Sequence, residues 1–294
     1  MTPYQGRDIS VAGDINYFRR KRIQQGLVYV VLIIITLYTL APLWFLFTNS
    51  FKGQAEIIRD PLGPPTSYSF EYIKNAIEQI HFFRSLAITF FITFFSVALI
   101  VLISSVGAWI LVRNKTKWSQ VIFMAFVAAM LIPFQAIMYP LIQFFDTLGL
   151  KNVYGLVFMY GGFGLSMSVF LYHGFVKGVP KGIEEAGIID GCNIIQLFSH
   201  IVLPLLSSIT VTVIVLNSMW IWNDYLLPFL VIGNSTTKTL VLELYFARIL
   251  AGQFGNPWEL IFPSVLVTIV PIVIIFLFLQ KYIVKGITEG AIKS

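Results

Sequence analysis

The sequence predicts an all-α integral membrane protein with six membrane-spanning helices. Hydrophobic side chains make up 57% of the 294 residues and charged ones only 12%, with a mean hydropathy of +0.82. A soluble domain carries about 25% charged residues, so this chain has too few to cover a water-exposed surface. Long uncharged stretches supply the second observation, since a helix needs roughly 20 apolar residues to cross about 30 Å of hydrocarbon.

Six such stretches define the predicted spans, which are Leu27–Phe47, Phe90–Val112, Val121–Phe145, Tyr154–Val176, Leu206–Ile232 and Ile261–Ile283. None alternates strictly between apolar and polar residues, as the strands of a membrane barrel would. The chain therefore divides into an N-terminal segment (1–26), a six-helix domain (27–283) and a C-terminal tail (284–294).

Positive charge is distributed unevenly over the segments between the spans. If the first segment is cytoplasmic, most of the 20 lysines and arginines fall on cytoplasmic segments, including the run Arg19-Arg20-Lys21-Arg22. Cytoplasmic loops carry the excess of positive charge in membrane proteins, so both termini are predicted to be cytoplasmic. Topology and the anionic lipid surface account for the net charge of +6, and no nucleic-acid partner is expected.

The predicted cytoplasmic loop of residues 177–205, between the fourth and fifth spans, has a helical pattern of its own. The pattern begins at Val179-Pro180, and Glu184 and Glu185 follow in the early turns, where the positive end of a helix stabilises carboxylates. Small or short residues then recur at the spacing of one helix face, namely Ala186, Gly187, Asp190 and Gly191. Such a face allows close approach of another backbone.

The second half of the same loop predicts a bend. We expect Gly191 to end the first helix, Ile194–His200 to form another short helix, and Ile201-Val202-Leu203-Pro204 to lead into the fifth span. Two short helices bent at a glycine fit a docking element for a cytosolic partner. A solvated linker with incidental helicity fits the pattern equally well.

A known signature matches this loop. The residues from Glu185 to Gly191, followed nine residues later by Ile201-Val202-Leu203-Pro204, resemble E-A-A-x3-G-x9-I-x-L-P of the inner-membrane permease subunits of binding-protein-dependent ABC importers. Only the second alanine differs, being Gly187, which keeps the face small but adds backbone entropy of about 1 kcal/mol. The resemblance implies that residues 184–191 form a coupling helix that docks on an ATPase.

Other segments resemble the carbohydrate-importer branch of these permeases, the MalG-like family. They are Leu131-Ile132-Pro133-Phe134-Gln135, Trp222-Asn223-Asp224-Tyr225 and the C-terminal residues Gln280 to Lys293. Two outer sites depart from the usual pattern of relatives. They are Arg84-Ser85 before the second span and Gly255-Asn256-Pro257-Trp258 before the sixth.

The resemblance implies a set of partners. The chain would have the MetI/MalG-like permease fold and form half of a sugar pathway with a second, MalF-like permease subunit in the bacterial inner membrane. Two ATP-binding-cassette ATPase subunits would bind ATP and magnesium, and an extracytoplasmic binding protein would deliver the sugar. This chain has no G-x-x-x-x-G-K-[ST] loop to hold phosphates, so we expect it to bind no cofactor and to catalyse no reaction.

Candidate residues for the sugar pathway lie in two spans. A sugar site needs hydrogen-bonding groups and aromatic rings in an otherwise apolar wall. A carboxylate inside a span is unfavourable unless it faces water or a partner, which makes Asp224 the strongest candidate. The full set is Asn217, Trp220, Trp222, Asn223, Asp224 and Tyr225 in the fifth span, with Gln135 and Tyr139 in the third.

Structural explanations exist for the same residues. The fifth-span group also fits an aromatic belt at the outer interface together with a hydrogen bond between helices. In the third span, Pro133 and Pro140 on either side of the candidates also fit a simple helix kink.

The outer loops add two expectations. Phe70–Ile80 predicts a short amphipathic helix lying in the membrane interface. By resemblance, the loop before the sixth span corresponds to the segment that contacts the binding protein, with contact residues Gly252, Gln253, Phe254, Gly255 and Asn256. A flexible connector is the alternative for this loop.

Other function classes have weaker support. His81, His173 and His200 are isolated, so no metal site is predicted. A secondary transporter usually has ion-coupling residues in several spans, whereas only Asp224 is a candidate here. A permease for phosphorylated polyols or other solutes is the nearer alternative. The absence of lysine and arginine from the centres of the spans favours a neutral ligand.

Overall fold

The structure, a computed structural model, describes residues 11–233, 235–252 and 256–291. Within these ranges, regular secondary structure is exclusively helical. A π-helical segment, Leu197–Val202, connects α9 to α10. The helices are α1 (Val11–Asn49), α2 (Gln54–Arg59), α3 (Glu71–Gln79), α4 (Phe82–Arg113), α5 (Lys117–Ala129), α6 (Phe134–Thr147), α7 (Val153–Lys177), α8 (Lys181–Ile189), α9 (Ile194–Gln196), α10 (Leu203–Leu205), α11 (Ser207–Asn223), α12 (Leu226–Ile232), α13 (Leu240–Gly252) and α14 (Trp258–Ala291).

The six predicted spans correspond to four long helices and two bent pairs. Lys21–Asn49 of α1, all of α4 and α7, and Trp258–Phe278 of α14 are each long and apolar enough to cross a membrane. The pair α5–α6 and the pair formed by Ile194–Leu205 with α11 satisfy the same test together. Counted as one span each, the two pairs bring the total to six. The second pair begins at Ile194, inside the predicted loop, and ends at Asn223, before the predicted end at Ile232.

The third predicted span, Val121–Phe145, is broken rather than continuous. α5 and α6 meet at an angle of 104° across a short break. Pro133 caps the start of α6 with extended backbone, at φ −67° and ψ 137°. The proline ring disfavours helical backbone in the residue before it, so the helix stops ahead of this position. Pro140, by contrast, lies inside α6.

The fifth predicted span, Leu206–Ile232, is also divided. α11 ends at Asn223, Asp224 is extended with ψ 131°, and α12 begins at Leu226. Asp224 Oδ1 accepts a hydrogen bond of 2.9 Å from the backbone N–H of Leu226. The first N–H groups of a helix lack partners within the helix, so a carboxylate at this position stabilises the start of α12.

α4 and α7 form the centre of the bundle. The apolar window of α7 is 50% buried inside the protein and that of α4 33%, whereas the window of α1 is 0% buried. Small residues bring α4 and α7 together: a Cβ on Gly161 would lie 2.6 Å from Leu99 Cδ2, and Ser96 Oγ donates to the carbonyl of Val157. Small residues permit such close packing between membrane helices.

The two ends of the bundle differ in structure. One end holds α8, and we call it the elbow end. The other end holds α2 and α3, and the amphipathic helix predicted over Phe70–Ile80 is confirmed there as α3. A buried lysine organises this α3 end, because Lys52 Nζ donates to the carbonyls of Asp60 and Gly63, both at 2.7 Å.

Candidate functional site

The elbow, residues 177–205, begins with the short helix α8. Pro180 occupies the N-cap, one residue before the first helical position, and α8 runs over Lys181–Ile189. Gly191 ends the helix as the sequence predicts, with φ +85°. Its N–H donates to the carbonyl of Ile188, and the N–H of Cys192 donates to that of Gly187, both at 3.0 Å. This pair of bonds is the Schellman arrangement, for which glycine is the preferred residue.

The second arm of the elbow is a continuous helical stretch from Ile194 to Leu205, longer than the predicted Ile194–His200. Asn193 and Gln196 form a reciprocal capping box at its start. The π-helical segment Leu197–Val202 follows, and such segments occur frequently at functional sites. This stretch joins α11 at an angle of 77°.

An ion pair between the buried Glu184 and the partly buried Arg113 fixes α8 to the end of α4. Glu184 Oε1 accepts from Arg113 Nη2 at 2.6 Å and from Arg113 Nε at 2.9 Å. Trp109 Nε1 donates to Glu184 Oε2 at 3.1 Å. Arg113 also donates to the carbonyl of Val179, at the start of the elbow. With both carboxylate oxygens satisfied and the side chain buried, α8 is held to α4 as one unit.

The glycine that replaces alanine in the signature lies where the two arms touch. A Cβ on Gly187 would lie 2.4 Å from Ile201 Cδ1 and 3.0 Å from Leu197 Cδ1. Both contacts come from the π-helical segment. The glycine therefore allows α8 and this segment to pack more closely than alanine would permit.

The opposite face of the elbow is apolar and exposed. Ile189 is 85% exposed, and Ile188, Ile194 and Ile195 are also exposed. Glu185, Ala186 and Asp190 are exposed on the same helix as Ile188 and Ile189. Neighbouring carboxylates in the sequence thus have opposite environments, because Glu184 is buried against α4 and Glu185 is exposed.

A cavity of about 670 Å³ lies where the α5–α6 bend meets α7 and α11. Two predicted pathway residues, Asn217 and Trp220, line it together with Phe134 and Phe163. Trp220 and Phe134 each meet the ring of Phe163 edge-on, with ring centroids 6.4 and 5.2 Å from it. Within the described ranges, no charged residue lines this cavity.

Asn217 is held in place by neighbouring helices. Its amide Nδ2 donates to Ser168 Oγ on α7 at 3.1 Å and to the carbonyl of Val213 at 2.9 Å. Gly164 provides the space, because a Cβ there would lie 2.6 Å from Asn217 Oδ1. Both amide hydrogens are used, so the oxygen Oδ1 is the group that Asn217 offers as an acceptor.

The other predicted pathway residues lie away from this cavity. Gln135 and Tyr139 are exposed on α6 and do not line it. Trp222 is buried in a separate cluster with Ile80 and Leu240. Asn223 and Tyr225 make contacts outside the cavity. Asn223 donates to the carbonyl of Met219, and Tyr225 stacks on Tyr245.

Asp224 connects two helices. Its Oδ2 accepts a hydrogen bond of 2.8 Å from the hydroxyl of Tyr160, which is fully buried on α7. Its Oδ1 accepts from Leu226 at the start of α12. Tyr160 also meets Trp220 edge-on, so the Tyr160–Asp224 pair lies beside the cavity wall.

The predicted binding-protein contacts are only partly within the described ranges. Gln253, Phe254 and Gly255 lie outside them, while Gly252 is the last residue of α13. The Asn256 carbonyl accepts from Gln54 Nε2 at 2.8 Å, and Gln54 Oε1 accepts from the backbone N–H of Trp258 at 2.7 Å. Gln54 thereby attaches the start of α14 to α2.

Comparison with known proteins identifies the family. A match to the family described as "Binding-protein-dependent transport system inner membrane component" covers residues 100–289, which include the elbow and the cavity. The chain belongs to this family. It is a multi-pass membrane protein, and the family consists of transport permease subunits.

Individual relatives extend the match over almost the whole permease. The chain is 38% identical to the probable starch degradation products transport system permease protein AmyC of Thermoanaerobacterium thermosulfurigenes, covering 94% of this chain and 100% of AmyC. It is 30% identical to the multiple sugar-binding transport system permease protein MsmG of Streptococcus mutans, and this match covers 95% of this chain and 98% of MsmG. It is 31% identical to the melibiose/raffinose/stachyose import permease protein MelC of Bacillus subtilis, and this match covers 86% of this chain and 91% of MelC.

The fold of the permease also matches a solved structure. The match is to a chain in the crystal structure of a bacterial ABC transporter involved in the import of the acidic polysaccharide alginate, with a TM-score of 0.74. The alignment covers 96% of this chain and 99% of that chain at 22% sequence identity. The predicted MetI/MalG-like fold is therefore confirmed.

Sequence reasoning missed the residues that hold the site together. In the sequence, Arg113 is one of the positive charges of the predicted cytoplasmic segments, and Trp109 is one apolar residue of the predicted second span. Tyr160 had no assigned role. Each contacts its carboxylate partner from at least 64 positions away in the chain. A single sequence has no local signal for contacts at such separations.

Proposed function

We propose that this permease forms half of the translocation pathway of an ATP-driven importer for a neutral sugar or oligosaccharide. In this proposal a second permease subunit completes the pathway, two ATPase subunits drive it, and an extracytoplasmic binding protein delivers the sugar. Family membership and the names of AmyC, MsmG and MelC support the proposal. The elbow, anchored on one face and apolar on the other, is the observation that carries it.

The exposed face of the elbow supports docking on a protein. Ile188, Ile189, Ile194 and Ile195 form an apolar patch at a short turn outside the long helices. Contiguous exposed apolar side chains of this kind mark interaction sites. A cleft on an ATPase subunit would cover them, with Glu185 and Asp190 at the polar rim.

The anchored face of the elbow supports transmission of force. A helix transmits motion when it moves as a rigid body, and the Glu184–Arg113 pair connects α8 to α4. The second arm leads through the π-helical segment into α11, which contributes Asn217 and Trp220 to the cavity wall. Closure of the ATPases would therefore move α11 directly, and α7 through its packing against α4. A nearly complete switch between two states requires about 5.5 kcal/mol of differential affinity, which ATP binding would supply.

The cavity supports a neutral sugar as the transported solute. Its volume of about 670 Å³ lies within the usual range for small-molecule sites, about 300–1,000 Å³. The rings of Phe134, Phe163 and Trp220 offer surfaces for sugar rings, and Asn217 Oδ1 offers an acceptor for a hydroxyl. A phosphorylated polyol would need cationic groups, and none of the residues described by the structure places one in the cavity wall.

The orientation proposed from the charge distribution is consistent with these assignments. The elbow end faces the cytoplasm, where the ATPases are, and both termini lie on that side. The α3 end faces the binding protein, with α2, α3 and the segment before α14 as its nearest surface. The exposed sides of α1, whose apolar window is 0% buried, would contact lipid or the second permease subunit.

Reconstitution of the complete importer in vesicles tests the proposal. We expect ATP hydrolysis and uptake to be stimulated by the binding protein loaded with one of a panel of mono-, di- and oligosaccharides. Trp220→Ala should lower sugar uptake about tenfold, since an aromatic contact contributes about 1 kcal/mol or more. Phe94→Ala, on the exposed face of α4, is the matched control and should leave uptake unchanged. Stimulation only by a phosphorylated polyol or a peptide would contradict the assignment.

A further inference from the structure

A second, larger cleft lies at the elbow end of the bundle, apart from the cavity between α6, α7 and α11. Its volume is about 1430 Å³, and the ends of α4, α5 and α7 line it together with the start of α8. Neither the elbow's exposed isoleucines nor Asn217 and Trp220 contribute to it. The proposed transport cycle assigns no role to this cleft.

The polar part of the cleft is strongly cationic. Four exposed lysines line it, Lys115, Lys117, Lys177 and Lys181, together with Arg113. Arg113 is paired with Glu184, whereas none of the four lysines forms an ion pair within the part of the chain that the structure describes. Among the residues that the structure describes, no aspartate or glutamate lines the cleft. Four positive charges thus converge without a protein carboxylate to neutralise them.

One side of the cleft has an apolar lining. Phe123 and Met124 belong to it, with Val121 and the end of α4, Leu111 and Val112. The ring of Phe123 stacks on His173 of α7 with centroids 3.6 Å apart, which closes the space between α5 and α7. Met124 and Val121 are exposed. A cationic end joined to an apolar groove matches a molecule with an anionic head and a hydrocarbon chain.

Two features place the cationic end at the level of lipid headgroups. Trp118 is 75% exposed beside the cleft, and tryptophan is enriched at the boundary between membrane and water. α5, a candidate half-span, starts at Lys117 with Thr116 as its N-cap, so its positive helix end lies at the same level. Basic pockets between membrane helices at this depth are suited to anionic lipid headgroups.

We propose that this cleft binds one anionic phospholipid, with the phosphate held by the lysines and an acyl chain along Val121, Phe123 and Met124. The headgroup would bridge the α4–α5 loop, through Lys115 and Lys117, and the start of α8, through Lys181. Arg113 and Val179 line the same cleft and belong to the anchor of α8. Bound lipid would therefore stabilise the position of the elbow, and the permease would be sensitive to the anionic content of its leaflet.

Lipid retention by the purified full-length permease tests this proposal. Native mass spectrometry in detergent, with added phosphatidylglycerol or phosphatidylcholine, should show selective retention of phosphatidylglycerol. The double variant Lys115→Gln, Lys117→Gln should weaken that retention about tenfold or more, as each lysine near an anionic lipid contributes appreciably. The matched control Lys74→Gln, Lys151→Gln removes two exposed lysines outside the cleft and should retain the lipid like the unchanged protein.

A second variant separates the acyl groove from the charges. Met124→Trp fills the apolar part without altering any charge, and we expect weaker retention of phosphatidylglycerol with an unchanged melting temperature. Equal retention of the two lipids, or retention by the double lysine variant equal to that of the unchanged protein, would overturn the proposal. Displacement of the lipid by millimolar glycerol 3-phosphate would also overturn it, because the ligand would then be a soluble phosphate.

A protein occupant gives a different result. If the double lysine variant weakens assembly with the ATPase subunits and leaves lipid retention unchanged, the cleft is a protein interface and the lipid proposal is wrong. The lipid measurement needs neither ATPase nor binding protein. Its failure is therefore distinguishable from failure of the proposed import function.

Discussion

The elbow and the cavity differ in how their polar groups are used. In the elbow, Glu184 is buried and bonded through both oxygens to Arg113 and Trp109, while its neighbour Glu185 is exposed. In the cavity, Asn217 has its amide hydrogens bonded within the protein, and most of the wall is apolar. The elbow is a rigid connection between helices, whereas the cavity is a mostly aromatic and apolar surface to which Asn217 offers its Oδ1 as an acceptor.

The difference shows which features of the site a short stretch of sequence can specify and which require distant segments of the chain. The bend and the exposed face of the elbow come from residues adjacent in sequence, which a short signature describes, whereas its anchor depends on Arg113 and Trp109 of α4. The cavity is assembled from the α5–α6 bend, α7 and α11, and the assembled importer would add residues from a second permease subunit. Substitutions should therefore affect stability and coupling in the elbow, and solute recognition in the cavity.

The largest effect is expected at the buried carboxylate of the elbow. Glu184→Ala leaves the partly buried Arg113 without its partner and should lower the free energy of unfolding by about 3 kcal/mol, with loss of uptake. Thermal unfolding of the permease in detergent measures the stability. Glu185→Ala is the matched control: stability should change by less than about 0.5 kcal/mol, while ATPase assembly weakens. Equal stability losses for both variants would remove the distinction between the two faces of α8.

A smaller effect is expected where Asp224 meets Tyr160. Tyr160→Phe removes one hydrogen bond to a carboxylate and should lower the free energy of unfolding by about 2 kcal/mol. Asp224→Asn should have little further effect in the Tyr160→Phe background, because the two residues share one interaction. Double-mutant thermal unfolding measures this coupling. Fully additive losses would show that Asp224 acts independently of Tyr160, as a pathway residue would.

The contact between the arms of the elbow predicts a rescue. Gly187→Ala places a Cβ against Ile201 Cδ1 and should destabilise the permease by about 1 kcal/mol despite restoring the family's alanine. Adding Ile201→Val removes the clashing methyl group and should recover most of the loss. Unfolding curves for the single and double variants check this. A stabilised Gly187→Ala single variant would show that the two arms are less closely packed than described.

The smallest effect concerns pH at the α3 end. Burial raises the pKa of Glu243 on α13, outside the candidate spans, although Lys238, His81 and Arg84 oppose the rise. The folded state therefore binds this proton more tightly than the unfolded state, so stability falls as pH rises from the ordinary carboxyl value through the raised pKa. Glu243→Gln should flatten this part of the pH–stability profile. An identical profile for the variant would assign the dependence to other groups.

Much of the fold could be predicted because it follows from composition and periodicity. Span number, the amphipathic α3 and the turn at Gly191 depend on local sequence. At Pro133 the sequence suggests a simple kink but not a complete break, and the break at Asp224 was missed, because both residues interrupt runs that remain apolar on average. Of the cavity candidates, Asn217 and Trp220 line the cavity, while Gln135 and Trp222 lie elsewhere. Sequence pattern identified suitable residue types, but the geometry of the helix bends determines which of them converge.

Cross-linking of the elbow to its proposed partner tests the central claim most directly. In a Cys192→Ser background, which removes the single native cysteine, Ile189→Cys should form a cross-link to an ATPase subunit in vesicles containing the assembled importer. Ile58→Cys, equally suited by its 68% exposure but located on α2, should form none. If a cysteine at position 189 reacts with soluble reagents yet never cross-links to an ATPase subunit, the docking role of the elbow is wrong.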